Sequence, residues 1–135
     1  MIRKWLTIIG ISMIIMTGCA TTQEMPEKIR DLDFTIVEAD EEPQALVDII
    51  SEKKEEPFQM SYTLGEDLYI VVGYGAQESG GYSIQVNECY ETESSILVDT
   101  TLLGPESQEE ITDNVTYPYI VIKTESIPDK MIEFQ

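Results

Sequence analysis

From Pro57 to the end of the chain, short β-prone runs alternate with turn-forming residues, and no second helical pattern separates them. Parallel sheets need long crossover connections, usually helical, so their absence favours antiparallel pairing. The fold class predicted is therefore α+β, mainly β: a small antiparallel β-sheet or sandwich domain of about five to six strands. The runs after Pro57 cover residues 58–64, 68–72, 82–87, 95–103 and 117–123, and one further β-prone run, residues 33–39, precedes Pro43.

One amphipathic helix is predicted N-terminal to these strands. Pro43 suits a first helical position and follows three acidic residues, which favour the positive end of a helix dipole. The apolar residues after it recur at helical spacing and predict a narrow stripe that packs on a sheet. They are Ala45, Leu46, Ile49 and Ile50. Within the strands, residues 68–72 (LYIVV) form an unbroken apolar run, which predicts a central strand buried on both faces.

The N-terminus has the pattern of an export signal. Arg3 and Lys4 precede an apolar stretch, residues 5–16, that is too short to span a bilayer comfortably. The following Met-Thr-Gly-Cys, residues 16–19, resembles the bacterial lipobox, in which the cysteine is acylated and becomes the first mature residue. We therefore expect lipidation at Cys19 and a membrane-anchored protein that faces outside the cytoplasm. An ordinary secretory signal or an uncleaved anchor helix is the alternative, and the choice between plasma and outer membrane stays open.

These signals divide the chain into a signal peptide (1–18), a lipidated tether (19–31) and a domain (32–135) whose core spans 64–124.

The 26 acidic and 8 basic residues give a formal charge of −18, which disfavours nucleic acid as a partner. Loss of Arg3 and Lys4 with the signal makes the mature chain more acidic still. Once Cys19 carries lipid, Cys89 has no cysteine left to pair with, and it is predicted to be a buried apolar residue.

The composition also excludes several classes of catalytic site. The chain has no histidine, so histidine-based nucleophilic triads and nearly all catalytic zinc sites are excluded. Pairs of carboxylates could in principle serve a glycosidase, but acids this abundant form pairs by chance. We expect no enzymatic activity, no cofactor and no small-molecule substrate. No calcium-loop motif is present, although whether the acidic surface binds calcium stays open.

Two segments together resemble a known family. The first, Gly80-Gly81-Tyr82-Ser83-Ile84, follows a strand and a glycine-rich loop, and the second is residues 115–121 (VTYPYIV). They are similar to the "TGGYSI" block and the closing "TYPYxxV" strand of the C-terminal domain of the protease complex subunit PrcB family. Pro105 falls where the family also tends to have a proline. The resemblance implies a small non-catalytic extracytoplasmic domain of the type that accompanies a surface protease.

The glycine-rich loop is the candidate protein-binding site, since tyrosine is enriched at interface hot spots and glycine permits close backbone approach. Its candidate residues are Tyr74, Ser79, Gly80, Gly81 and Tyr82. The competing interpretation is a tight hairpin connection with Tyr82 in the core.

Two functions follow from this interpretation of the loop. The protein binds or helps to assemble another extracytoplasmic protein, a protease being one candidate, or it inhibits a protease through a Gly-rich hairpin loop. A purely structural role in the cell envelope stays open.

Overall fold

The computed structural model describes residues 27–135, and the predicted signal peptide, Cys19 and most of the predicted tether lie outside the described residues. Within this range the chain forms one α-helix and eight strands, with short 3-10 turns at Ala39–Glu41 and Gln108–Glu110. The elements are β1 (Arg30–Asp31), β2 (Thr35–Ile36), α1 (Gln44–Lys53), β3 (Pro57–Leu64), β4 (Asp67–Tyr74), β5 (Ser83–Glu91), β6 (Ser95–Leu103), β7 (Tyr119–Glu125) and β8 (Met131–Phe134).

The strands form two four-stranded sheets, which confirms a mainly β fold of the α+β class. The first sheet has the order β1-β5-β6-β8 and the second has the order β2-β7-β4-β3. The strand count exceeds the predicted five to six, because β1 and β8 contain only two and four residues and are too short to show an alternating pattern. The named strand pairs are antiparallel, as predicted, except that β8 pairs with β6 in parallel.

The segments that precede the helix also differ from their predictions. The strand predicted over residues 33–39 is reduced to β2, and Ala39 already lies in a 3-10 turn. Arg30 and Asp31 pair with β5, so strand pairing begins before the predicted domain boundary at residue 32. The Arg30 guanidinium then bonds Glu91 of the first sheet and Glu125 of the second, each at 2.7 Å, and so connects the two sheets.

A hydrophobic core fills the space between the two sheets. Along β4 every second side chain points into this core, and the same alternation operates in β7. The facing sheet supplies the partners of these side chains from β5 and β6. The buried members of the core are Leu32, Leu68, Ile70, Val72, Cys89, Ile96, Val98, Ile120 and Ile122.

The helix covers the other face of the second sheet. It connects β2 at one edge to β3 at the opposite edge, so the chain has to cross this face. Leu46 and Ile50, one helical turn apart, are buried against Tyr69 and Val71 of β4 and Val121 of β7. The predicted helix and the predicted central strand are both confirmed, because β4 is covered by the first sheet on one side and by α1 on the other.

Candidate protein-binding surface

The glycine-rich loop, residues 75–82, connects the two sheets. It leaves β4 in the second sheet and enters β5 in the first, so the prediction of a hairpin is wrong. A hairpin requires its two strands to pair with each other, whereas β4 pairs with β3 and β7. Sequence could not distinguish the two cases, since a glycine-rich stretch between two strands suits either connection. The inhibitor hypothesis loses its structural basis, because no rigid hairpin projects here.

A second loop, residues 104–118 between β6 and β7, packs over the glycine loop. Gln77 and Thr116 exchange backbone hydrogen bonds of 2.8 and 3.0 Å, so the two loops form a short antiparallel bridge. The Thr116 hydroxyl donates to the Ser79 carbonyl at 2.7 Å. The Gly80 amide donates to the Thr112 hydroxyl at 2.9 Å. The two loops therefore form one surface at this end of the domain, and we call it the loop surface.

Contact with the second loop explains the glycine at position 81. Gly81 has φ +85°, a conformation that side-chain-bearing residues rarely adopt. A Cβ placed there would lie 2.8 Å from the Cβ of Glu110 and 2.9 Å from the Cβ of Pro105, which is too close for either. Gly81 is therefore required by the packing of the two loops as well as by its own backbone conformation.

The candidate residues predicted from the sequence divide into packed and accessible ones. Tyr74 ends β4 and is half-buried, with its hydroxyl 2.7 Å from the Thr100 hydroxyl. Ser79 is buried and donates to the Gly80 carbonyl at 2.9 Å. Tyr82 is half-buried, with its ring close to Gly104, and Gly80 is also partly covered. Of the five residues only Gly81 is exposed, so most of them support the loop surface from within and do not face the solvent.

The second loop supplies exposed apolar side chains that the sequence interpretation did not single out. Ile111 is 55% exposed and Val115 is 56% exposed, although both are large hydrophobic residues. The signal available in the sequence is the presence of isolated apolar residues within an acidic run. The exposed carboxylates of the two loops are Glu78, Glu106, Glu109, Glu110 and Asp113.

The Tyr117-Pro118-Tyr119 segment holds this end of the second sheet in place. The Pro118 carbonyl accepts a hydrogen bond from the Tyr74 amide at 3.0 Å, which continues the β4–β7 pairing past the proline. The Tyr119 hydroxyl donates to Glu42 at 3.3 Å, and burial raises the pKa of both groups. The Lys54 ammonium lies 5.0 Å from the centre of the Tyr117 ring, a cation–π contact. The segment has a structural role.

No cluster of metal ligands lies at the loop surface, all of whose residues fall within the described range. Burial raises the pKa of the Cys89 thiol to about 11, and Cys89 lies in the core between the sheets. Among residues 27–135 no three histidine, cysteine, aspartate or glutamate side chains are placed to hold a metal ion. Within the same range no helix is long and apolar enough to cross a bilayer.

The fold and this surface define a class: a small two-sheet β-domain with one helical cover, whose inter-sheet loops form a shared surface at one end. Residues 68–125 match the family model described as PrcB C-terminal, which confirms the resemblance predicted from the sequence. The match begins in β4, ends in β7 and includes both loops of the loop surface. No curated protein and no solved structure matches the chain.

Proposed function

We propose that this protein is a non-catalytic, lipid-anchored subunit outside the cytoplasm that docks to another envelope protein, with a protease as the preferred class of partner. The PrcB C-terminal domain supports a role in a protease complex. The two loops of the loop surface lie inside the matched segment, so the proposed docking site belongs to the part of the chain that defines the family.

The exposure of Ile111 and Val115 is the observation that supports docking most directly. Stable interfaces combine a small apolar centre with a polar rim, and these two side chains stand in a loop that is otherwise acidic. Association would remove both side chains from water, which gives a driving force that a solvated acidic loop alone does not have. The surrounding carboxylates favour a partner with a basic patch, because opposite charge speeds encounter and selects the orientation.

The test is a pull-down of the full chain through a C-terminal tag on a flexible linker, followed by mass spectrometry. We expect an envelope protein, a protease above all, to be enriched with the wild type and lost with the double variant Ile111→Ser, Val115→Ser. Ile36→Ser is the matched control, since Ile36 is 52% exposed but lies in β2 at a sheet edge. Retention of every partner by the double variant would refute the loop surface as the docking site.

The lipid anchor is proposed from the lipobox alone and has a separate test. Metabolic labelling with a fatty acid should label the wild type, and Cys19→Ala should abolish both the label and recovery in the membrane fraction. Cys89→Ala is the control, since we propose no lipid at that residue. Labelling that survives Cys19→Ala would refute the anchor without affecting the docking proposal.

A further inference from the structure

One long strand of the second sheet has a free edge within residues 27–135. β3 is terminal in the order β2-β7-β4-β3, and all eight of its residues pair with β4. The other terminal strands, β1, β2 and β8, contain two to four residues each. β3 is therefore the longest unpaired backbone edge in the described part of the chain.

The pairing pattern shows which amides of β3 face outward. In an antiparallel pair alternate residues direct both backbone groups to the same neighbour. The Tyr74 amide bonds Pro118 on the β7 side, so the alternate β4 residues Gly73 and Val71 bond β3. Their partners Phe58 and Met60 thus direct their backbone groups to β4. The residues that alternate with these direct their backbone groups to the free edge of the sheet. They are Gln59, Ser61 and Thr63.

β3 has few of the usual protections against strand addition. Edge strands are commonly blunted by lysine, by proline within the strand or by a β-bulge. The sequence of β3 is PFQMSYTL, which has no charge, and its register with β4 is regular from end to end. Its proline, Pro57, occupies the first position only. In a chain with 26 acidic residues, an eight-residue uncharged edge is available for pairing.

A cleft accompanies this edge. It has a volume of about 560 Å³ and opens between the start of β3 and Gln135. Such a cleft can receive one side chain of an added strand, as pockets beside a sheet edge do in strand-addition complexes. Its lining residues are Pro57, Phe58, Gln59, Val72, Gly73, Tyr74, Thr100 and Gln135.

Charge at the two ends of β3 selects the occupant. Glu55 and Glu56 directly precede the strand, after Lys53 and Lys54 at the C-terminal end of α1, and Glu66 and Asp67 follow it. Lys54 lies over the Tyr117 ring, and the charged residues nearest to β3 are carboxylates at both ends. A second copy of this chain, pairing β3 with β3 in antiparallel fashion, would bring these acidic ends together, and like charges would oppose the contact. A partner segment with basic ends would instead be attracted at both ends.

We propose that β3 binds an extended segment of a partner protein by strand addition, and that this segment is uncharged in its middle and has lysine or arginine at both ends. The edge amides of Gln59, Ser61 and Thr63 supply the hydrogen bonds, and the cleft receives one side chain. The inference concerns a site different from the loop surface, and its test does not depend on the docking proposal.

The experiment uses the full-length chain in detergent with its tag removed, because Gln135 lines the cleft. The probe is a synthetic β-prone peptide of eight uncharged residues with two lysines at each end. We measure its affinity by calorimetry and map protection by amide hydrogen exchange. Binding should slow exchange at Gln59, Ser61 and Thr63, whereas Met60 and Tyr62, already bonded to β4, should change little.

Variants and control peptides separate strand addition from simple charge attraction. Ser61→Pro removes one outward amide and should weaken binding about tenfold, whereas Ser61→Ala keeps the amide and should stay within about twofold. Should Ser61→Pro prove misfolded by circular dichroism, the double variant Ser61→Lys, Thr63→Lys places repelling charge on the edge and should weaken binding as well. A peptide with glutamates in place of the lysines should not bind.

Four results would overturn the proposal. They are no binding of the lysine-flanked peptide at millimolar concentration, equal binding of the glutamate-flanked peptide, protection that omits the three edge amides, and self-association through β3 in sedimentation experiments. The last result would identify the occupant as a second copy.

Discussion

Two glycines with positive φ form a matched pair that isolates the packing between the loops of the loop surface. Gly81 has φ +85°, and a Cβ there would lie under 3 Å from both Glu110 and Pro105. Gly65 has φ +62° in the two-residue turn between β3 and β4, and a Cβ there meets nothing within 4 Å. Alanine at either position incurs the backbone cost, but only Gly81→Ala also incurs the steric one.

The magnitude follows from these two terms. A non-glycine residue in a left-handed conformation costs about 1–2 kcal/mol, which is the whole expected effect of Gly65→Ala. Overpacking a close contact adds about 1–3 kcal/mol. The free energy of unfolding should therefore fall by about 2–5 kcal/mol in Gly81→Ala. A loss of this size is a large share of the stability of a typical domain.

The assay is urea unfolding of the full-length wild type and both variants, monitored by far-UV circular dichroism. It gives the difference in free energy of unfolding between the wild type and each variant. The denaturant slope should be unchanged, which shows that the unfolding transition still exposes the same surface. Equal losses for the two variants would refute the argument that loop packing, rather than backbone conformation alone, requires Gly81.

Three further predictions concern the folded core and its ion pairs. Leu46→Ala should lower the free energy of unfolding by about 2–5 kcal/mol, because Leu46 of α1 is fully buried against the second sheet, and the exposed-site control Glu52→Ala should change it little. Similar losses for the two variants in urea titrations would contradict this. Arg30 lowers the pKa of Glu91, chiefly by a hydrogen bond, so its contribution is complete above the ordinary value of 4.5 and is lost as the pH falls. The stability difference between wild type and Arg30→Gln should thus shrink as urea titrations move below that pH, and a constant gap would argue against the ion pair. Cys89, with its pKa raised to about 11, should resist alkylation at pH 8 until urea unfolds the chain, as site-resolved mass spectrometry can show, and rapid labelling of the native protein would disprove its burial.

Local patterns were sufficient for the long elements. The helix was predictable because Leu46 and Ile50 repeat at helical spacing, and β4 because five successive apolar residues need cover on both faces. Two of the short strands were not predictable. β1 and β8 have two and four residues, and such short segments become strands only because β5 and β6 offer them a partner edge.

The candidate site was predictable in part. The glycines at positions 80 and 81 marked a loop in which the backbone is closely packed, because the positive φ and the close approach at Gly81 leave a residue-type signal. Which side chains face water left no such signal. Ser79 is polar yet buried, and Ile111 is apolar yet exposed, since each depends on how the second loop lies over the first.

The sequence by itself determined the fold class, the single helix, the central strand and the family, because these depend on hydrophobic period and on local residue types. Only the tertiary structure decided that β4 and β5 belong to different sheets, that β8 adds in parallel and that no strand of residues 27–135 pairs with the outer edge of β3. The physical reason is that strand pairing joins backbone groups far apart in the chain. Backbone hydrogen bonds are the same for every residue type except proline, so sequence leaves the choice of partner strand largely unmarked.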